Sequence, residues 1–308
     1  MDNIMDNIMD NISLESINPV KDLVTPITPY FICNHFISRE IHKCSSKYIR
    51  YELELKANDL IKNQNYNDIK NFEIIQIQVD LFDFFYNKIL PIIIKNNIKV
   101  IIITSQWHLP QIQRNNKTDD LLNNSNIILW ISQNPIYENN EKYMAFPYGI
   151  CHTRITEYVN FIKLNNINTD KSIKILNQCA TAHCHFPNDH IRKMFDIFGK
   201  NSGKKTLYTE FLTNILNSEF VISTTGDRDD TYRHYECIGL NAIPVSNVTH
   251  YYKVIFGDNM IYSNAEEMIS MINKNTVNYN YKKPNRDIIT VSYWVYKINQ
   301  KLNLLKII

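Results

Sequence analysis

Residues 221–247 read VISTTGDRDDTYRHYECIGLNAIPVSN. An apolar run gives way to a small polar loop, then to a helical pattern that stops at Gly239. A second apolar run, Ile243-Pro244-Val245, follows. Strand, loop, helix and strand in that order make one unit of a parallel sheet, whose strands are buried on both faces and read as continuous apolar stretches. The loop of such a unit lies at the carboxyl edge of the strands, where parallel sheets bind ligands. Thr224, Thr225 and Gly226 are small enough to let a ligand approach the backbone. Asp229, Asp230 or Thr231 can cap the helix, whose free N–H groups attract anions. Arg233 and Glu236 share one helical face a turn in. A guanidinium there can take a phosphate in bidentate fashion, and a carboxylate can accept from both hydroxyls of a ribose. Tyr232, Tyr235 and Ile238 face the opposite side and bury it.

Outward from this stretch the same rhythm repeats. Before it, the sequence predicts a strand over 172–180, a helix after Asn188 and a helix over 206–218. After it come a short strand at 260–263 and a helix over 265–272. In the first half, PYFICNHFI from Pro29 reads as a strand running into a loop, and a helix is expected around 47–62. Strands are expected at 72–78, 98–105 and 126–132, with helices at 81–94 and 153–164. The expected fold is α/β: two Rossmann-like parallel-sheet domains facing a cleft. Its divisions are a low-complexity tail over 1–25, a first domain over 26–168, a second over 169–285, and a closing helix over 286–308 that packs back on the first. All six glycines (149, 199, 203, 226, 239, 257) lie beyond residue 148, and the chain contains no G-x-G-x-x-G and no G-x-x-x-x-G-K. That disfavours dinucleotide dehydrogenases and P-loop kinases.

Bulk composition narrows the class. Thirty-three basic residues against 31 acidic ones leave a net charge of +2, so no global field favours nucleic acid or an acidic membrane. Six scattered cysteines suit free thiols in a reducing compartment better than a disulfide framework. The opening repeat MDNIMDNIMDNI has neither the basic start nor the apolar core of a signal peptide. The most hydrophobic stretch, 89–104, is broken by Lys95-Asn96-Asn97-Ile98-Lys99 and so cannot span a bilayer. The expectation is a soluble cytoplasmic chain with no membrane span and no nucleic-acid partner.

Gly226, Arg233, Glu236, Ile243, Pro244 and Val245, in that spacing after an apolar strand, resemble the sugar-nucleotide site of exostosin-like glycosyltransferases with the GT-B fold. The approach 211–224, FLTNILNSEFVIST, is similar to the same family, and 130–150 resembles a first-domain segment that ends in a proline–glycine turn. Asn241 stands where a second glycine often lies. The resemblance implies transfer of a sugar from a nucleotide-sugar donor to a glycan or protein hydroxyl, with no metal and no further cofactor. It implies that the second domain holds the donor, with Thr224, Thr225, Arg228 and Arg233 at the diphosphate, Glu236 at the ribose, and Gly226 and Asp230 among the other donor-binding residues. Trp107, Asn134 and Tyr148 are then the acceptor-side candidates. A non-catalytic sugar-nucleotide or glycan-binding protein and a nucleotide-sugar epimerase are the competing readings.

Three further groups carry possible chemistry. The segment 179–190, CATAHCHFPNDH, has metal-binding residue types in an order that matches no common zinc finger, because adjacent Cys184 and His185 do not suit tetrahedral ligation. It is read instead as a cleft loop, with His183, His185 and the later Arg192 placed to meet a diphosphate. His35 and His108 each follow an expected strand and are the candidates for the base that deprotonates the acceptor, a task for a group titrating near neutrality.

Overall fold

The computed structural model describes residues 22–39, 64–105, 111–138, 140–178, 206–226 and 228–305, with Asp59, Lys62, Ile191 and 193–195. Among the described residues nine strands form two parallel sheets. The first holds β1 (His35–Ile37), β2 (Ile74–Gln78), β3 (Val100–Ser105), β4 (Ile127–Ser132) and β5 (Tyr143–Ala145). The second holds β6 (Ile173–Leu176), β7 (Ser218–Ile222), β8 (Ile243–Ser246) and β9 (Ile261–Tyr262). Every pairing among them is parallel and strand order follows chain order. Among the described strands there is therefore no reversal of order, the usual place for a ligand crevice in doubly wound sheets.

The helices are α1 (Pro29–Ile32), α2 (Leu90–Lys95), α3 (Asn116–Asn123), α4 (Ile155–Leu164), α5 (Tyr208–Leu216), α6 (Tyr232–Gly239), α7 (Lys253–Phe256), α8 (Ala265–Lys274) and α9 (Val291–Leu304). A short helix, Phe82–Phe84, and a π-helical turn, Phe85–Ile89, lead into α2. α3 and α8 begin at asparagine caps, Asn115 and Asn264, whose side chains accept from backbone N–H groups of the first turn. Among the described helices, none is long and apolar enough to cross a membrane.

Three apolar clusters hold these layers. One face of the first sheet (Ile75, Ile77, Ile102, Trp130) packs with Phe82, Phe85 and Ile93. The outer face of the second (Phe220, Ile222, Ile243, Val245) packs with Met268 of α8 and with Phe195. The third cluster lies between the sheets and belongs to both. It joins Ile101, Ile103, Leu129 and Ile131 to Val221 through Tyr158 and Ile162 of α4, Leu212 and Ile215 of α5, Ile238 of α6, and Trp294 and Ile298 of α9. The two sheets are thus fused by a common helical layer. α9 reaches the first sheet's side, where Trp294 meets Phe146 edge-on at 5.8 Å and Lys301 donates to the Asn140 carbonyl at 3.2 Å.

Two expectations change. The segment from Pro29 is a helical turn, not a strand; proline fixes φ for the first turn of a helix, and the strand starts only at His35. Residues 22–25, assigned to the loose tail, are packed: Leu23 and Val24 are at most 1% exposed, and Leu23 bridges antiparallel to Thr290. Val24 donates to the Ile289 carbonyl and accepts from Ile150. Gly149 makes that crossing, since its φ of +85° favours glycine and a Cβ there would strike the Val24 carbonyl. The helix expected around 47–62 lies almost wholly outside the described residues.

Gly239, at the end of α6, is required by contact. A Cβ there would overlap the Tyr158 hydroxyl and come within 2.8 Å of Ile289 Cδ1. Gly239→Ala should cost about 1–3 kcal/mol by overpacking, read as a lower Tm in thermal unfolding. Placing it in a Tyr158→Phe background should recover part of the loss, because the nearest clashing atom is gone.

Candidate functional site

The loop after β7 folds inward. Ser223, Thr224 and Thr225 are buried, and the Thr225 N–H donates to Asn247 Oδ1 at 3.0 Å while Asn247 Nδ2 donates back to Thr225 Oγ1 at 2.9 Å. Arg228 is 2% exposed. Its Nη2 donates to the Gln133 carbonyl at 3.0 Å, just beyond β4, and its guanidinium lies 4.0 Å over the Tyr148 ring. Asp230 is 1% exposed. Its Oδ2 accepts from the Tyr235 hydroxyl at 2.6 Å and from the Tyr148 N–H at 3.0 Å. Tyr232 stacks on Tyr148 with centroids 5.0 Å apart. His234, fully buried, sets Nε2 at 3.0 Å from the Ser223 carbonyl; that oxygen only accepts, so Nε2 carries a proton. Arg228, Asp230 and Tyr148 were expected at ligand. In the structure they form a buried polar seam that joins the carboxyl edges of the two sheets, and a buried charge needs those partners to stay inside.

A second polar group lies on the other face of α6, toward α5 and the start of α4. Glu236 is 5% exposed and its Oε1 accepts from the Tyr208 hydroxyl at 2.6 Å. No donor among the described residues reaches its Oε2. Burial raises the Glu236 pKa from the ordinary 4.5, opposed by the Tyr208 hydrogen bond and by the charges of Arg233 and Arg154. Arg233 is half-buried, with its guanidinium carbon 5.2 Å from the Phe211 centroid. Arg154, exposed at the cap of α4, lies 4.6 Å over the Tyr208 ring. Among the described residues neither guanidinium has a carboxylate within 4.0 Å, so the i,i+3 pair of Arg233 and Glu236 is not an ion pair. Cys151 adjoins the group: its Sγ is 3.1 Å from Thr153 Oγ1, and its pKa is raised by burial, with the Glu236 charge adding to the rise. Tyr208 likewise has its pKa raised, by burial first and then by Glu236.

The other sequence candidates fall in three places. His35 opens β1 at the amino edge of the first sheet, opposite the seam, and its Nε2 lies 2.8 Å from Glu73 Oε2. The base expected in the cleft is thus displaced, because the strand begins six residues later than the sequence suggested. Asn134 is buried behind β4, its N–H donating to Ser132 Oγ at 3.1 Å. Trp107, His108, His183, His185 and Arg192 lie outside the described residues. Gln178 Nε2 donates to Thr206 Oγ1 at 2.8 Å, two residues ahead of Tyr208. Sequence reasoning missed Arg154, Tyr208 and Phe211. The one signal was the aromatic pair three apart in α5, which periodicity assigns to packing. A groove of about 530 Å³ runs elsewhere, between β5 and α9, lined by Tyr143, Met144, Trp294, Lys297 and Lys301.

The chain is therefore an α/β protein of two parallel sheets whose carboxyl edges are joined by a buried seam. No family model matches it, and no curated protein matches it. Among solved structures it is similar to the crystal structure of the GtfA/B complex, at a TM-score of 0.32 and 10% sequence identity over 76% of this chain. The chain spans 58% of the length of that one.

Two outcomes follow from the electrostatics. Asp230→Ala leaves Tyr148, Tyr235 and buried charge without their partner, and should cost about 3–5 kcal/mol in urea unfolding. Glu236 has a folded pKa above its unfolded one, so its contribution favours folding at pH below 4.5 and is lost as pH climbs from 4.5 through the raised value. Glu236→Gln keeps an acceptor for Tyr208 but removes the titration. Tm profiles of the two proteins should separate as pH rises above that range, with the variant higher.

Proposed function

We propose that the chain is a sugar transferase that takes a nucleotide-sugar donor. The observation that carries this reading is Glu236: a buried carboxylate with one oxygen fixed by Tyr208, no donor to the other among the described residues, and the Arg233 charge acting on it. A carboxylate oxygen with acceptor capacity left suits the hydroxyls of a ribose, and a guanidinium suits the adjoining phosphate. The spacing of Arg233 and Glu236 is also the one that resembles the exostosin-like donor site. Arg233 holds the diphosphate and Glu236 the ribose. In the reaction the bond from sugar C1 to the diphosphate oxygen breaks, a bond from an acceptor hydroxyl oxygen to C1 forms, and the hydroxyl proton leaves with the departing diphosphate. The departing diphosphate charge is then stabilised by Arg233. The acceptor is a glycan or protein hydroxyl on the side of the first sheet, and no metal is required.

The position of His35, at the far edge and held by Glu73, favours a second reading: a protein of the same fold that binds sugar nucleotide without turnover.

A thermal-shift panel of UDP, GDP, CDP and their sugars tests the donor site. One nucleotide series should stabilise the wild type, by about 2.7 kcal/mol at about 100 Kd, and Arg233→Ala should lose most of that shift. Absence of any shift in the wild type overturns the reading. Release of free nucleotide from a stabilising donor when acceptor is added separates the transferase from the binding protein.

A further inference from the structure

We propose that Arg154 is the second cation of the diphosphate site, and that Arg154 and Arg233 together make it select a diphosphate over a monophosphate. The inference rests on the reading of Arg233 and Glu236 as donor-binding residues.

The support comes from how the two guanidinium groups are held. Tyr208 and Phe211 lie one turn apart on α5, with centroids 6.4 Å apart and rings within 26° of parallel. Each ring carries one arginine, Arg154 at 4.6 Å and Arg233 at 5.2 Å. The two come from different elements, the start of α4 and the first turn of α6, and neither is neutralised by an ion pair among the described residues. Both act on Glu236, the carboxylate of the group among the described residues, whose Oε1 is already taken by Tyr208. Two positive charges thus face one partly satisfied negative charge. Each guanidinium lies over a ring within cation–π range, and Arg233 Nε is buried without a hydrogen-bond partner among the described residues, a donor left for an anion.

A ligand that answers this arrangement has two linked anionic centres. A diphosphate offers one phosphate to each fork, in bidentate geometry. A monophosphate can engage one fork fully and leaves the other unanswered. Arg154 is exposed, so a ligand reaches it without rearrangement of the core. Its ring partner Tyr208 also holds Glu236, which ties the phosphate end of the site to the ribose end through one side chain.

Inorganic pyrophosphate and inorganic phosphate test the clamp by titration calorimetry on the full chain, without any assumption about base or sugar. The wild type should bind pyrophosphate more tightly than phosphate. Arg154→Gln should lower pyrophosphate affinity by about tenfold, one strong charged contact, while phosphate affinity stays within about twofold. Arg154→Lys, a cation without the fork, should recover only part. Arg154→Gln without ligand should still unfold cooperatively and close to the wild type, apart from the small loss of an exposed cation–π contact. An Arg154→Gln protein that keeps the wild-type preference, or that loses both probes equally, overturns the clamp. If Arg233→Gln alone loses pyrophosphate, the clamp falls and the donor reading stands. If the wild type binds neither probe, or neither arginine matters, the donor reading falls and takes the clamp with it.

Discussion

The carboxylate of Asp230 is the contact on which the arrangement depends. It belongs to the second sheet, yet it is bonded by the backbone N–H of Tyr148, which follows the last strand of the first. Arg228, two residues earlier, reaches the Gln133 carbonyl behind β4 and covers the same tyrosine ring. Apolar layers alone would let two sheets slide, because burial of hydrophobic surface has no direction. Charged groups buried to within 2% of complete exclusion have few satisfactory positions, so they fix the register in which the sheets meet.

The seam also decides which way α6 faces. With Asp230 before the helix and Tyr235 on its buried side both directed at Tyr148, Arg233 and Glu236 turn toward α5. The far end of α6 is held as firmly. Lys171 donates to the carbonyls of Leu216 and Leu240 at 2.7 and 2.9 Å, where α5 and α6 end, and Arg286 donates to the Gly239 carbonyl at 3.0 Å. Cations at helix carboxyl ends answer unpaired carbonyls and the helix dipole together. Burial at that position lowers the Lys171 pKa to about 8. The helix that carries the two rings, α5, and the helix that carries Arg233, α6, are thus both held at their carboxyl ends.

Much of the fold was legible. Val100–Ser105, Ile127–Ser132 and Ile243–Ser246 announce themselves as apolar runs, and α6 was marked by a cap before it and a glycine after it. Asn241, which replaces a glycine of the resembling motif, has φ +55°, a left-handed conformation that asparagine tolerates better than most residues. The misses have physical causes. β5 is three residues long, and a period of two has no room to show. Pro29–Ile32 has strand-like composition, but proline at its start and local hydrogen bonds to Thr25, Ile27 and Thr28 close a helical turn.

By itself, then, the sequence determined the alternation of strands and helices, the parallel sheets, and the helix on which Arg233 and Glu236 share a face. All of these follow from neighbours within a turn or a strand. Which polar residues turn inward to join the sheets, and which turn toward α5, is settled only in the tertiary structure, by contacts across the chain. Arg228 and Arg233 are five positions apart in one loop and helix, and no local rule separates them. The first is paired by a carbonyl 95 residues away and buried. The second rests on an aromatic ring of a neighbouring helix, beside an arginine from a third. Those assignments depend on contacts between distant parts of the chain, where burial and pairing energies of charged groups outweigh any local preference.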